Sequence, residues 1–287
     1  MMRIAVLSGK GGSGKTLAAV NLAAAAGQAV YVDCDVEEPN GHLFFKPSWI
    51  KTTPVTVRVP QVTDERCTGC RQCVSFCRFN ALAYIGQRVM VFEDICHACG
   101  GCALVCPEAA ITEKSREIGR VEIGHTGRIQ VLTGVLNPGE AAGVPVIRHL
   151  LEQIPGDALT FIDCPPGSAC SVMESIQEAD YCLLVAEPTI FGLHNLMMVH
   201  ELVTLFGKPH GILLNKCLEG ENPSETYAHE KMIPVVGRIP YDHHVGDLNA
   251  RGKILVHEEK AFSDLFTALL KRVEEEVSHE AAVGAQR

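Results

Sequence analysis

A run of small and basic residues near the start of the chain is the first stretch that could carry chemistry. Residues 9–16 read GKGGSGKT, which fits the pattern G-x-x-x-x-G-K-[ST]. An apolar run, 4–7, precedes it, and an Ala- and Leu-rich segment, 17–26, follows it and ends at Gly27. In a strand–loop–helix context such a loop binds phosphate through its amides and the helix N-terminus. The residues predicted to hold a nucleotide here are Gly11, Gly12, Ser13, Gly14, Lys15 and Thr16.

Two side chains of this loop have distinct predicted tasks. Lys15 is expected to reach the β- and γ-phosphates, and Thr16 is expected to bind Mg²⁺ through its hydroxyl. An ordinary glycine-rich turn that opens a helix is the alternative. The complete motif between an apolar strand and a helix favours the phosphate-binding interpretation.

Charge and hydropathy indicate the cellular compartment of the protein and exclude some classes of partner. The chain has 287 residues and a formal net charge of −9, whereas surfaces that bind nucleic acid are normally basic. No apolar run approaches the ~20 residues of a membrane span, and no signal peptide is expected before the first strand. The acidic segment 271–287 does not resemble a membrane-surface helix. We therefore expect a cytoplasmic protein with no nucleic-acid and no membrane partner.

An internal repeat carries eight of the thirteen cysteines. The spacing C-x2-C-x2-C-x3-C begins at Cys67 and recurs from Cys96. It is the spacing of bacterial two-cluster ferredoxins, in which the fourth cysteine of each run binds the cluster of the other run. The sequence therefore predicts two [4Fe–4S] clusters. One would be held by Cys67, Cys70, Cys73 and Cys106, and the other by Cys96, Cys99, Cys102 and Cys77.

The same eight thiols could instead hold two zinc ions. Zinc ligands usually come as separated C-x2-C pairs, so two runs of four favour the clusters. Pro107 follows the second run, but Arg78 stands at the matching place after the first. His97 is expected to be a neighbour and not a ligand. The other five cysteines are expected to be small buried residues: Cys34, Cys164, Cys170, Cys182 and Cys217.

Strand-like and helix-like segments alternate along the rest of the chain, which predicts an α/β fold with a doubly wound, mostly parallel sheet. Between 46 and 60, prolines interrupt short β-branched pieces, and the alternation resumes after 113. We therefore predict a nucleotide-binding domain formed by 1–60 and 114–287, with a small α+β ferredoxin-type domain, 61–113, inserted into it. Further strands are predicted at 28–34, 128–133, 158–163, 181–186, 211–215 and 235–239, and helices at 144–153, 192–206 and 258–277.

Acidic residues at two strand ends complete the predicted nucleotide site. Asp163 ends an apolar strand before Cys-Pro-Pro-Gly, a position that suits the shell of Mg²⁺. With Asp33-x-Asp35 and the KGGxGKT loop, this set resembles the MinD/ParA/Mrp-like ATPases, which have a deviant phosphate loop. Segments 187–189, 214–216 and 237–241 are similar to later motifs of that family. With the cysteine repeat inserted after the first acidic segment, the chain resembles MinD-type ATPases that contain an inserted ferredoxin domain.

The resemblance implies a role for each site residue. Lys10 would be the signature lysine that reaches the phosphates of the partner subunit in a nucleotide-sandwich dimer. Asp35 would position the attacking water, and Asp163 would hold Mg²⁺ through water. Asn215 would read the adenine edge, although it could equally cap a strand, and the loop at Pro240 would wall the base. The implied catalytic set is Lys10, Lys15, Asp35 and Asp163.

Two functions fit these features. The first is an ATPase that converts ATP to ADP and phosphate and whose nucleotide state controls electron transfer or partner docking through the ferredoxin insert. The alternative is an ATP-dependent scaffold or carrier for iron–sulfur or metal-cofactor assembly, although no second C-x-x-C is found to bridge a dimer. The expected partners are ATP or ADP, a like ATPase in a homodimer or heterodimer, and a redox or cofactor-assembly protein. A cobyrinate-type amidase would need a glutaminase region for which the chain has no room.

Overall fold

The structure, a computed structural model, describes residues 2–284. Within that range the chain alternates strands and helices. The strands are β1 (Arg3–Leu7), β2 (Ala29–Asp33), β3 (Ser48–Val62), β4 (Leu82–Ile85), β5 (Arg88–Val91), β6 (Ile111–Thr126), β7 (Ile129–Leu136), β8 (Thr160–Asp163), β9 (Tyr181–Ala186), β10 (His210–Cys217) and β11 (Val235–Pro240). The helices are α1 (Lys15–Ala26), α2 (Gly41–Phe45), α3 (Gln72–Phe76), α4 (Gly101–Leu104), α5 (Val144–Leu151), α6 (Cys170–Ile176), α7 (Ile190–Leu205), α8 (Pro223–Glu230), α9 (His243–Ala250), α10 (Leu255–Glu258) and α11 (Lys260–Gly284).

One large sheet organises the described chain. Its strand order is β11-β10-β9-β1-β8-β2-β7-β6-β3. From β11 to β7 neighbouring strands run parallel, and β6 and β3 extend the sheet with antiparallel pairing. Helices cover both faces: α1 and α11 contribute to one apolar core, and α5 to α8 contribute to the other. The predicted α/β fold with a mostly parallel, doubly wound sheet is therefore confirmed.

The proline-containing segment before the cysteine repeat differs from the prediction. It is not a series of short pieces but the single 15-residue strand β3, which pairs with β6 from Ser48 to Val62. Pro54 and Pro60 are tolerated because β3 is the edge strand, where a missing N–H faces no neighbouring strand. The chain thus enters the repeat from the sheet itself.

Several helices were not predicted, and for two of them, α8 and α9, a local cause is visible. α8 and α9 begin at polar caps: Asn222 accepts hydrogen bonds from two backbone N–H groups of α8, and Asp242 accepts one from α9. Their mixed polar composition hides the apolar period on which the sequence prediction relied. The final helix begins at Lys260, after the separate short α10. Residues 285–287 of the predicted acidic tail lie outside the described residues.

Residues 63–110 fold as two copies of one small unit. Each copy has a 3₁₀ turn (Asp64–Arg66 or Glu93–Ile95) followed by a short helix, α3 or α4. β4 and β5 form a separate hairpin. A small core joins the copies and contains Cys73, Leu82, Val89, Cys102 and Ile111. The sequence repeat is therefore also a structural repeat, and the predicted boundaries of the insert, 61 and 113, fall within β3 and β6.

Candidate nucleotide-binding and cysteine sites

The glycine-rich loop lies between the carboxyl end of β1 and the start of α1. Gly14 precedes the first helical residue, Lys15, with φ of 95° and ψ of 20°. L-side chains rarely adopt this left-handed conformation, and a Cβ at this position would lie 2.0 Å from Asn215 Nδ2. The requirement for glycine therefore has two causes. The loop presents the N-terminus of a 12-residue helix to the space in front of it.

A cavity of about 1050 Å³ opens in front of this loop. Its volume is at the upper end of the range of small-molecule sites, about 300–1,000 Å³. It brings together most of the residues predicted from separate parts of the sequence: Lys10, Gly11, Gly12, Gly14, Lys15, Thr16, Asp35, Asn215 and Pro240. Ser13 is buried beneath the loop, with its hydroxyl 3.4 Å from the Lys10 carbonyl oxygen.

Asp163 lies behind the cavity lining and is paired with the phosphate-loop lysine. Lys15 Nζ is 2.5 Å from Asp163 Oδ1, and both side chains are buried. The Tyr31 hydroxyl donates to the other carboxylate oxygen at 2.9 Å. Burial lowers the pKa of Lys15, but Asp163 and the two nearby aspartates outweigh burial, so the pKa is raised. Lys15 is therefore positively charged at neutral pH, as phosphate binding requires.

Two further carboxylates crowd the carboxyl end of β2. Asp33 is fully buried and accepts backbone hydrogen bonds from Gly41 at 2.8 Å, Asn40 at 3.0 Å and Asp35 at 3.2 Å. Burial and the neighbouring Asp163 raise the pKa of Asp33 to about 7. Burial likewise raises the pKa of Asp35 to about 6, although Lys15 opposes that shift. Asp33 thus organises the segment that carries Asp35.

Lys10 contacts its own chain in this structure. Its Nζ is 2.8 Å from Glu187 Oε2, and Lys216 Nζ is 2.6 Å from Glu187 Oε1. Lys216 also donates to the Gly12 carbonyl at 2.7 Å. Burial raises the pKa of Glu187, but the hydrogen bonds with the two lysines outweigh burial and lower it. The sequence analysis noted segments 187–189 and 214–216 but gave no role to this carboxylate or to Lys216.

Asn215 is tied to the phosphate loop. Its Nδ2 donates to the Ser13 carbonyl oxygen at 2.7 Å, and the side chain is buried. Asn215 lies within β10, two residues before the strand ends at Cys217, so it does not cap a strand end. On the far side of the cavity, the lining includes Tyr241 and Arg251 around α9, which the sequence analysis did not identify. The adenine role of Asn215 stays a prediction.

Two smaller cavities in the cysteine repeat are lined by its cysteine residues. The first is lined by Cys67, Cys70, Cys73 and Cys106. The second is lined by Cys77, Cys96, Cys99 and Cys102, and Cys70 reaches its edge. Each set therefore combines three cysteines of one run with the fourth cysteine of the other. Four cysteine side chains are the donor set that an iron–sulfur cluster requires.

Backbone amides point at three of these sulfurs. Ala81 N–H and Ala110 N–H donate to Cys77 Sγ at 3.4 Å and to Cys106 Sγ at 3.3 Å. Ala98 N–H donates to the Sγ of Cys96 at 3.4 Å. Hydrogen bonds to cysteine sulfur stabilise thiolate character and tune clusters. Within residues 2–284, no three His, Cys, Asp or Glu side chains are gathered so as to hold one metal ion. The two ligand sets stay a prediction.

The five remaining cysteines only partly follow the expectation of burial. Cys34, Cys164 and Cys182 are buried in the sheet core, as predicted. Cys170 is exposed and Cys217 is half-buried, so the prediction is wrong for these two. The reason is their position: Cys170 begins α6 and Cys217 ends β10, where the chain reaches the surface. No helix among the described residues is both long and apolar enough to cross a membrane.

Comparisons with known proteins agree with this site. The sequence profile of the CobQ/CobB/MinD/ParA nucleotide binding domain matches residues 4–256. The chain is 28% identical over 280 residues to the uncharacterized protein MJ0578 of Methanocaldococcus jannaschii, covering 96% of this chain and 97% of that protein. A stretch of 59 residues is 41% identical to indolepyruvate oxidoreductase subunit IorA of Pyrococcus horikoshii, covering 20% of this chain and 9% of that one.

A similar fold is found among solved structures. The septum site-determining protein MinD of Pyrococcus horikoshii, solved in complex with Mg-ADP, superposes with a TM-score of 0.60. The match covers 95% of each chain at 18% sequence identity. At this identity the likeness establishes a shared fold.

Proposed function

The chain belongs to the CobQ/CobB/MinD/ParA family of nucleotide-binding proteins, and from this premise we propose that it binds Mg²⁺–ATP and hydrolyses it to ADP and phosphate. We propose further that its nucleotide state controls electron transfer or partner docking through two [4Fe–4S] clusters in the inserted domain, 61–113. The observation that carries the proposal is the cavity at the phosphate loop, which gathers Lys10, Lys15, Thr16, Asp35 and Asn215 from three regions of the sequence.

The residues that face the phosphates have separate tasks. Lys15 leaves Asp163 for the β- and γ-phosphates, and Thr16 binds Mg²⁺. Asp163, released from Lys15, would then help to hold Mg²⁺ through water. Asp35 orients the attacking water; its pKa of about 6 leaves it mostly ionised at neutral pH. When bound, Mg²⁺ neutralises charge that develops on the phosphate oxygens.

The base contacts the part of the cavity that Asn215 and Pro240 line. The Asn215 amide uses one donor on Ser13, and an amide carries further donor and acceptor positions with which it can read the adenine edge. Pro240 lines the same cavity and walls the base. Lys10 completes the site of a second subunit in a homodimer or heterodimer, and it must first leave Glu187, to which it is paired.

The insert supplies the redox part of the proposal. Cys67, Cys70, Cys73 and Cys106 hold one cluster, and Cys96, Cys99, Cys102 and Cys77 hold the other; each cluster supplies one-electron transfer when bound. The match to an oxidoreductase subunit over 59 residues supports a redox role. Seven large apolar side chains of the insert are exposed and offer a docking surface for a protein partner: Phe76, Phe79, Ile85, Met90, Phe92, Ile95 and Leu104.

The alternative function is an ATP-dependent scaffold or carrier that delivers clusters to a client. One observation favours it: Cys70 and Cys99 are exposed, so each predicted cluster site reaches the surface. A carrier loses its clusters to an apo-protein acceptor when ATP is present. An electron-transfer protein keeps its iron and passes only electrons. Iron counts before and after incubation with apo-ferredoxin separate the two.

The proposed function is tested on protein purified without oxygen. We expect ATP-dependent phosphate release and about eight iron atoms per chain. Lys15→Ala removes nucleotide binding, whereas Lys271→Ala, which changes an exposed lysine on α11, leaves it intact. Cys77→Ser damages the cluster held by the 96–102 run, which EPR distinguishes from the other. A wild-type chain that neither binds ATP nor retains iron would refute the proposal.

A further inference from the structure

Arg116 on β6 joins two segments that are distant in sequence. Its Nη1 and Nη2 donate to Glu140 Oε2 at 3.0 Å and to Glu140 Oε1 at 2.6 Å, a bidentate pair. The same two nitrogens donate to the Glu93 carbonyl oxygen at 3.1 Å and to Asp94 Oδ1 at 2.9 Å. Glu140 belongs to the loop after β7, and Glu93 and Asp94 belong to the turn before Cys96. One guanidinium therefore bridges the sheet domain and the cysteine repeat.

This bridge is more enclosed than most ion pairs of the surface. The side chains of Arg116 and Glu140 are 16% and 9% exposed. Lys114 adds a contact to Glu93 at 2.6 Å, so the turn is held from two positions of β6. Paired, hydrogen-bonded charges of low exposure keep a fixed geometry, because an arginine fork matches a carboxylate in only a few arrangements. The Arg116–Glu140 pair therefore has a defined geometry, whereas Asp94, on the side of the repeat, is 83% exposed.

On the side of the repeat, the bridge ends at a predicted cluster ligand. The Glu93 carbonyl that accepts from Arg116 also accepts from the backbone N–H of Cys96, at 3.2 Å. A movement of Arg116 thus reaches Cys96 through a single shared oxygen.

On the side of the sheet domain, the bridge leads to the nucleotide cavity. The loop that carries Glu140 begins after Leu136, whose N–H donates to the Val36 carbonyl at 2.8 Å. The Val36 side chain is buried, and a Cβ added at Gly143, the far end of the loop, would lie 2.7 Å from it. Val36 follows Asp35 and, like it, lines the cavity. Both ends of the loop therefore touch the residue next to Asp35.

We propose that Arg116 is a positioning residue that couples the nucleotide state of the cavity to the turn before Cys96, through Glu140 and the loop against Val36. This inference rests on the proposed function, since it needs a nucleotide that displaces the segment of Asp35. The contacts of Arg116 connect the two segments through space. They are separate from the covalent connection along β3, which is held in the sheet by its pairing with β6. Exchange of ADP for ATP then alters the hydrogen bonding around Cys96. If the nucleotide changes the affinity of the thiols for a cluster by a given factor, the cluster changes the affinity for that nucleotide by the same factor.

Hydrogen exchange of the full chain, purified without oxygen, tests the coupling. Backbone amides of residues 93–99 are compared with saturating ADP and with a non-hydrolysable ATP analogue. We expect the wild-type exchange rates to differ by about fivefold or more between the two nucleotides, the lower range of typical couplings. Arg116→Lys keeps the charge but loses the bidentate fork, and it reduces the difference to less than about twofold. The isosteric Glu140→Gln does the same from the other side of the bridge.

A matched control lies on the same strand. Arg120 pairs with Glu122 at 2.7 Å, a contact confined to β6, so Arg120→Lys keeps the full nucleotide difference. If Arg116→Lys does not fold, Glu140→Gln, which lies outside the repeat, decides the question. A nucleotide difference that survives in the bridge variants, or that is absent from wild type while ATP still binds, overturns the coupling and leaves the proposed function standing. A wild-type chain that fails to bind ATP overturns both.

Discussion

Replacing Glu187 by Gln removes the negative charge that holds two lysines at the mouth of the phosphate loop. The carboxylate lies 2.8 Å from Lys10 Nζ and 2.6 Å from Lys216 Nζ. The Glu187 side chain is 9% exposed, but the lysine side chains are 39% and 41% exposed, so solvent screens both pairs. Exposed ion pairs contribute about 0.2–1 kcal/mol each. We therefore assign about 0.5–1 kcal/mol to the contact that retains Lys10.

That contact opposes the proposed dimer. Lys10 must leave Glu187 before it can reach the phosphates of a partner subunit, and two subunits break two such contacts. Glu187→Gln would then favour the ATP-bound dimer by about 1–2 kcal/mol, which is a factor of about 5–30 in the dissociation constant. Glutamine keeps the size of the side chain and one hydrogen-bond acceptor, so the local packing is preserved.

Sedimentation velocity with a non-hydrolysable ATP analogue measures the dimer, and ADP gives the baseline. Glu178→Gln is the control: it removes an exposed carboxylate that pairs with Arg3, and it should leave the dissociation constant within about twofold of wild type. A Glu187→Gln dimer no tighter than wild type would refute the reasoning. If Lys10→Ala combined with Glu187→Gln were still tighter than Lys10→Ala alone, the effect would belong to Lys216.

Two further substitutions test the backbone and the charge of the site. Gly14→Ala places a Cβ in a left-handed conformation and against the Asn215 amide, so we expect a loss of about 1–2 kcal/mol in the free energy of unfolding together with weaker nucleotide binding. Gly246→Ala, whose Cβ would meet open space on α9, is the control and should not destabilise. For Asp33, the folded-state pKa of about 7 lies above the ordinary 3.8, so the folded chain keeps a proton that the unfolded chain has lost. Its contribution to stability is complete below pH ~4 and is lost as pH rises to about 7. Asp33→Asn lacks this part of the pH dependence, and denaturant unfolding at pH 5 and pH 8 shows whether the two proteins differ.

The parts of the fold that could be predicted from the sequence are those encoded by short-range spacing. The phosphate loop depends on residues that are close in sequence, and α1 ends at Ala26, before Gly27, which adopts a left-handed capping conformation. Parallel strands buried on both faces are continuous apolar runs, so β9 was predicted with its observed bounds. The spacing of the two cysteine runs is likewise short-range, but the two sets of cluster ligands that it indicates stay a prediction.

Other parts depend on pairing that the local sequence does not reveal. β3 contains Pro54 and Pro60, which argue against a strand unless it lies at an edge, and edge position is a property of the whole sheet. The helices α8 and α9 are stabilised by capping and by burial of few side chains, so their apolar period is weak. In β3 tertiary contacts override the local pattern, whereas in α8 and α9 local caps act where the apolar period is weak.

The ion pairs of the site show a further limit of sequence reasoning. The aspartates at strand ends could be predicted because a phosphate loop needs a nearby acidic residue for Mg²⁺. Glu187 and Glu140 could not, because acidic side chains in such segments usually face solvent. Their partners lie 177 and 24 residues away, Lys10 and Arg116 respectively. Both carboxylates hold a cation that the proposed mechanism needs to reposition: Glu187 restrains Lys10 at the dimer face, and Glu140 restrains Arg116 toward Cys96. Because each pair can be weakened without touching the phosphate loop, dimerisation and communication with the insert are separable from nucleotide binding. Variants at these two positions can therefore distinguish an ATPase that signals to its insert from one that merely carries it.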